Sequence, residues 1–126
     1  VAQAGGRTRA ALYRPVAPGR GQEARVPFSS PWRTVTFDAV DDVSEQVRLA
    51  GEGGNWELSV PLELLGLRPA DGLELRGDVG ILRGAGGQTV QRLYWHNKAT
   101  GVTTDVPSEA ALTPQLWGRW VFRAIE

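Results

Sequence analysis

From Trp32 onward, apolar and polar positions alternate with a period of two rather than 3.6. Val35 and Phe37 alternate with Thr34 and Thr36, Val47 and Leu49 with Gln46 and Arg48, and Trp56, Leu58 and Val60 with Glu57 and Ser59. Successive side chains on a strand point to opposite faces, so each set predicts a half-buried strand. Gly51-Glu52-Gly53-Gly54, between the second and third sets, supplies residues that take positive φ at little steric cost, which predicts an antiparallel hairpin. Trp56 shares the parity of Leu58 and Val60 and is expected in the core.

The alternation breaks at Pro61, where Leu62, Leu64, Leu65 and Leu67 predict one short helical turn that Gly66 helps to end. Pro69-Ala70-Asp71-Gly72 then turns the chain into a strand in which Leu73, Leu75, Val79 and Ile81 share one parity. Gly77 interrupts it and marks a bulge or a close contact. Gly84-Ala85-Gly86-Gly87 closes a hairpin, residues 88–95 return, and the last strand is 119–124, with Trp120 and Phe122 on one face and expected in the core. Ahead of Trp32, residues 10–13 suit one short strand, while the prolines of Pro15-Val16-Ala17-Pro18-Gly19 forbid regular pairing. Six or seven short strands with one helical turn describe an all-β chain, an antiparallel β-sandwich of jelly-roll type, over residues 1–126 as a single domain. The loop at 97–116, with Pro107 and Pro114, is long for a bare connection and is the first place to look for function.

Composition narrows the function classes. A chain of 126 residues is too short for two independent domains, and 41% hydrophobic content is enough for a core. Its 14 basic and 14 acidic side chains cancel, leaving no global field to draw it onto nucleic acid or an anionic membrane. Five arginines (Arg7, Arg9, Arg14, Arg20, Arg25) against Glu23 make the start of the chain locally basic, read as a solvated arm. Without Cys there is no disulfide, thiol nucleophile or thiolate-held metal; with one His and no Met, no haem is held by a His/Met or His/His pair of this chain. No apolar run approaches the length of a membrane-spanning helix, so membrane insertion is not expected.

Candidate chemistry is sparse. His96 is the only base for a serine nucleophile, and no Gly-x-Ser-x-Gly elbow is present. No carboxylate pair stands out by spacing for glycoside hydrolysis, and the glycine-rich turns lack the Lys-Ser/Thr of a phosphate loop. The chain therefore reads as non-enzymatic. Asp38, Asp41 and Asp42 offer oxygen ligands of the kind a hard cation takes but match no calcium loop, and read as a solvated turn. Five tryptophans are the informative chemistry, because an indole face stacks on the C–H face of a sugar ring while its edge keeps a polar handle. Trp32 follows Pro31 at a loop–strand junction, and Trp95 stands beside His96, Asn97 and Lys98 where a strand enters the long loop; these two are the ligand candidates.

The run Tyr94-Trp95-His96-Asn97-Lys98-Ala99-Thr100-Gly101, continuing through Asp105-Val106-Pro107-Ser108-Glu109 to Leu112-Thr113-Pro114-Gln115-Leu116-Trp117-Gly118-Arg119-Trp120, resembles the C-terminal part of bacterial domains similar to family 9 carbohydrate-binding modules, sandwiches related to the DOMON superfamily. Phe28-Ser29-Ser30-Pro31-Trp32-Arg33, Trp56-Glu57-Leu58-Ser59-Val60-Pro61-Leu62 and Leu75-Arg76-Gly77-Asp78-Val79-Gly80 agree with it in order, so that the resemblance covers the chain from about Leu12. It implies a non-catalytic module that docks a secreted, periplasmic or cell-surface protein onto polysaccharide or oligosaccharide, in some relatives with Ca²⁺ supporting the fold. In such relatives paired tryptophans sandwich a terminal ring and polar groups bind its hydroxyls. Carried to this chain, it implies Trp95 and Asn97 on the loop side, Trp32 as partner and Arg83 as hydroxyl donor. Members of the family run longer, so the chain corresponds to the C-terminal two-thirds of such a domain. A missing strand would leave an open edge and an apolar face, to be met by self-association or by a larger parent protein.

Overall fold

A computed structural model describes residues 1–98 and 114–124. The fold is all-β and antiparallel, with 3₁₀ turns as its only helical elements among these residues. The chain divides into two compact units, Val1–Phe28 with Thr34–Arg68, and Ser29–Arg33 with Pro69–Glu126.

The first unit carries β1 (Ala2–Ala4), β2 (Arg7–Arg9), β3 (Ala11–Arg14), nearly all of β4 (Val26–Ser29), β5 (Thr34–Phe37), β6 (Ala39–Asp42), β7 (Arg48–Glu52) and β8 (Asn55–Ser59). β1 pairs with β2, β3 with β6, β4 with β5 and β7 with β8. The hairpin expected around residues 51–54 forms, with Gly51 opposite Trp56 and Gly53 and Gly54 both at positive φ (60° and 89°). Two consecutive left-handed residues give a turn whose twist matches that of the flanking strands. The expected helical turn is the 3₁₀ segment Leu62–Leu65, ended by Gly66 at φ 67°. Two further 3₁₀ turns occupy Gln22–Ala24 and Pro114–Leu116.

The buried hydrophobic residues among those described, Ala10, Phe37, Ala39, Val43 and Val47, all lie in this unit. Ala10, Val43 and Val47 form one cluster, on which Leu12, Val60 and Leu64 pack. Its backbone is satisfied locally: Val43 N–H donates to the Ala10 carbonyl at 2.9 Å, and the Ala10 N–H to Ser44 Oγ at 3.0 Å. Tyr13, Phe28 and Phe37 make a second cluster, with ring centroids 5.3 to 5.8 Å apart.

Trp56 departs from its expected place in the core. It is 54% exposed, because β8 is exposed along its length, and its ring lies over the opposite glycine, Gly51. Of the face that parity defines, only the end at Val60 is covered, and Trp56 and Leu58 lie beyond it. The basic start of the chain also differs from a free arm. Residues 2–9 form the hairpin β1–β2, and Arg14, Arg20 and Arg25 pair with Asp41, Asp41 and Asp38.

The second unit carries β9 (Glu74–Gly77), β10 (Gly80–Ala85), β11 (Gln88–Tyr94) and β12 (Gly118–Val121), paired as β9–β12 and β10–β11. Gly86 and Gly87, at φ 58° and 79°, close the β10–β11 hairpin. The stretch that alternates from Leu73 to Ile81 is two strands, parted after Gly77, with Asp78 and Val79 between them.

Candidate functional site

In the second unit, the β9–β12 ladder sets Gly118 opposite Gly77 and Trp120 opposite Leu75. Two facing glycines leave a strip of bare backbone, and two indoles cover it. A Cβ added at Gly77 would stand 3.2 Å from Trp120 Cε2. One added at Gly118 would stand 2.6 Å from Trp95 Cη2 and 3.1 Å from its Cε3. The two rings meet edge to face, with centroids 6.2 Å apart and planes at 69°, the arrangement that aromatic quadrupoles favour. Trp95 is 55% exposed and Trp120 40%, so each is seated on backbone on one side and open on another.

The segment carrying Trp95 is held at several points. Its N–H donates to the Val79 carbonyl at 2.8 Å, one step beyond the Gly80–Tyr94 pair. Asp78 then anchors the chain as it leaves the strand: Oδ1 accepts the N–H groups of Val79 (2.9 Å) and His96 (3.0 Å), and Oδ2 accepts that of Asn97 (2.7 Å). Desolvation pushes the Asp78 carboxyl up, but the hydrogen bonds from the Asn97, His96 and Val79 N–H groups outweigh it and hold the group below its ordinary value. Lys98 Nζ donates to the carbonyls of Tyr94 and, at 2.9 Å, Trp95. His96 Nδ1 lies 2.9 Å from the Leu116 carbonyl, which ties the start of the long loop to its end. A carbonyl oxygen only accepts, so Nδ1 is the donor.

Of the residues singled out in the sequence, Trp95 and Asn97 stand on the one segment that Val79 and Asp78 hold at the end of β11. Asn97 is half-buried, with its main-chain N–H committed to Asp78. Arg83 lies opposite Gln91, four residues before Trp95, which at the rise of a strand is roughly 14 Å along the ribbon. Trp32 sits at the turn between β4 and β5, 81% exposed, with its N–H on Ser30 Oγ. Among the described residues no ring contact or hydrogen bond ties Trp32 or Arg83 to Trp95. Trp120, expected in the core, is instead 40% exposed, because its ring lies over Gly77 on an open face, and His96 and Asp78 are participants to which sequence reasoning assigned no role. The signal for the indole seats is the pair of strand glycines, Gly77 and Gly118, since glycine inside a strand marks a place another group approaches closely. Most of the long loop, including Pro107, lies outside the described residues.

Asp38, Asp41 and Asp42, in the first unit, do not make a cation cradle. Asp38 accepts the Ala17 N–H and pairs with Arg25, while Asp41 pairs with Arg14 and Arg20. Asp42 takes the Ser44 hydroxyl and N–H, which hold its carboxyl below the ordinary value. Among the described residues no group of three His, Cys, Asp or Glu is placed to hold a metal, and no helix is long and apolar enough to cross a membrane.

No family model, curated protein or solved structure matches this chain.

Proposed function

We propose that the chain is a non-catalytic binding module for polysaccharide or oligosaccharide, part of a secreted, periplasmic or cell-surface bacterial protein, with the Trp95–Trp120 corner as its ligand face. The observation that carries this reading is the exposure of two indoles already fixed against each other over bare backbone. A rigid aromatic platform loses little conformational entropy when a sugar ring settles on it, and its open face suits the ring's C–H side. Asn97 belongs to the polar rim; Trp32 and Arg83 enter as outer contacts for a longer chain. Calcium has no part in the stacking.

The test is calorimetric titration of the full chain with cello-, xylo- and manno-oligosaccharides. Saturable heat is expected from the wild type and from Trp56→Ala, whose indole is equally exposed in the other unit, and none from Trp95→Ala. Equal binding by Trp95→Ala would refute the placement, and heat from none of the sugars would refute the function.

A second reading, an interaction domain pairing through an open sheet edge, is favoured by one observation. β10 pairs only with β11 among the described residues and is exposed along its whole length, Ile81 and Leu82 included. A lone two-stranded ribbon is marginal in water, and an open edge templates strand addition. This reading expects a dimer or larger species by light scattering that Ile81→Lys disperses; a monomeric wild type would exclude pairing between copies.

A further inference from the structure

His96 occupies a position that the aromatic corner leaves unused. Its ring stands 5.8 Å from that of Trp95, inclined at 60°, and the residue is exposed. Nδ1 gives its hydrogen to the Leu116 carbonyl, and this bond fixes which ring nitrogen carries the proton in the neutral imidazole. Nε2 is then a bare acceptor, and no group among the described residues donates to it. Main-chain bonds hold the ring's base: the His96 N–H is on Asp78, and the carbonyls on either side of the Trp95 peptide are held by Lys98. A preoriented acceptor on the rim of an aromatic platform matches a hydroxyl donor on a ring stacked there.

We infer that His96 Nε2 accepts a hydrogen bond from a hydroxyl of the carbohydrate bound at Trp95, and that the Leu116 carbonyl sets this role by fixing the tautomer. The inference rests on the carbohydrate reading and adds a residue and a polarity to it: His96 recognises a donor. Asn97 serves the same corner by anchoring the segment, its main-chain N–H on Asp78.

His96 is the only histidine in the chain, so a long-range ¹H–¹⁵N spectrum of the imidazole reports on it alone. The free 126-residue chain is expected to show the Nδ1–H tautomer, and saturating cello-, xylo- or manno-oligosaccharide is expected to move the Nε2 resonance. His96→Asn keeps an amide donor near the Nδ1 position but has no Nε2. It is expected to retain the wild-type circular dichroism and urea midpoint while binding about 2- to 13-fold more weakly, the effect of one net hydrogen bond. An Nε2–H tautomer in the free protein overturns the inference whatever the sugar does. So does His96→Asn binding at wild-type affinity, or an Nε2 resonance that stays still while tryptophan emission responds to sugar; in these cases the carbohydrate reading stands. If neither tryptophan emission nor the imidazole responds to any of the sugars, the carbohydrate reading falls and this inference with it.

Discussion

Replacing Gly118 by alanine is the sharpest test of how Trp95 is held. The new methyl would lie 2.6 Å from Trp95 Cη2 and nearer still to Cζ3, where carbon–carbon contacts need about 3.5 to 4.0 Å. The Gly118 backbone is fixed in its ladder with Gly77, so the ring must swing away. A tryptophan buries about 150 to 250 Å² when covered, and a ring 55% exposed forfeits a little under half of that, about 2–3 kcal/mol at 25–30 cal/mol per Å². Losing the edge-to-face contact with Trp120 adds about 0.5–1.5 kcal/mol, and the reduced freedom of the unfolded chain returns about 0.4–1 kcal/mol. The net expectation is a destabilisation of about 1.5–4 kcal/mol, read from urea unfolding by tryptophan emission and circular dichroism. In a Trp95→Ala background the methyl meets no indole, and the same substitution should be neutral or slightly stabilising. The cycle therefore isolates the ring–glycine contact. Gly118→Ala costing less than about 0.5 kcal/mol, or costing the same in both backgrounds, would refute the seating of Trp95 on Gly118.

Other consequences are quick to check. Gly77→Ala should cost less than Gly118→Ala, because its methyl at 3.2 Å asks Trp120 to give by only a few tenths of an ångström. The hydrogen bonds to Asp78 hold its carboxyl below the ordinary carboxylate value, so its contribution is complete above that ordinary value and is lost as pH falls through the lowered one. Tryptophan emission should change as pH falls below about 4, and Asp78→Asn should show that change already at pH 7; identical acid transitions in the two proteins would count against this anchor. Val47→Ala, in the buried cluster of the first unit, should destabilise by about 1–3 kcal/mol in urea. Glu74→Gln removes an ion pair with Arg119 in which both side chains are more than half exposed, and should leave the urea midpoint unchanged.

Turn chemistry made part of this fold legible. Gly53-Gly54 and Gly86-Gly87 fall between period-two runs, and each pair takes the positive φ that a two-residue hairpin needs. The break in alternation after Pro61 likewise marked the 3₁₀ turn that Gly66 ends. Parity could not say whether a face is covered. Trp56 and Leu58 share a face with Val60, yet only Val60 reaches the cluster of Ala10, Val43 and Val47. Nor could parity reveal the division after Gly77, because Leu75, Val79 and Ile81 stay in phase across it. The β1–β2 hairpin escaped notice because its strands are short and nearly free of large apolar residues, although Gly5-Gly6 carried the turn signal. Within the candidate site, Trp95 and Asn97 were visible as polar and aromatic neighbours at a strand end. Trp120 was not, because its partnership with Trp95 depends on a β9–β12 ladder between segments about 40 residues apart, which no local pattern encodes.

Ligand binding at the Trp95–Trp120 corner is tested by a tryptophan-emission titration. The sample is the monodisperse chain, and the probes are cello-, xylo- and manno-oligosaccharides with and without Ca²⁺. A saturable shift that is lost in Trp95→Ala, kept in Trp56→Ala and indifferent to Ca²⁺ is the expected result. An emission spectrum that no sugar moves, in a sample that associates with itself, would contradict the claim and leave the open β10–β11 ribbon as the working surface.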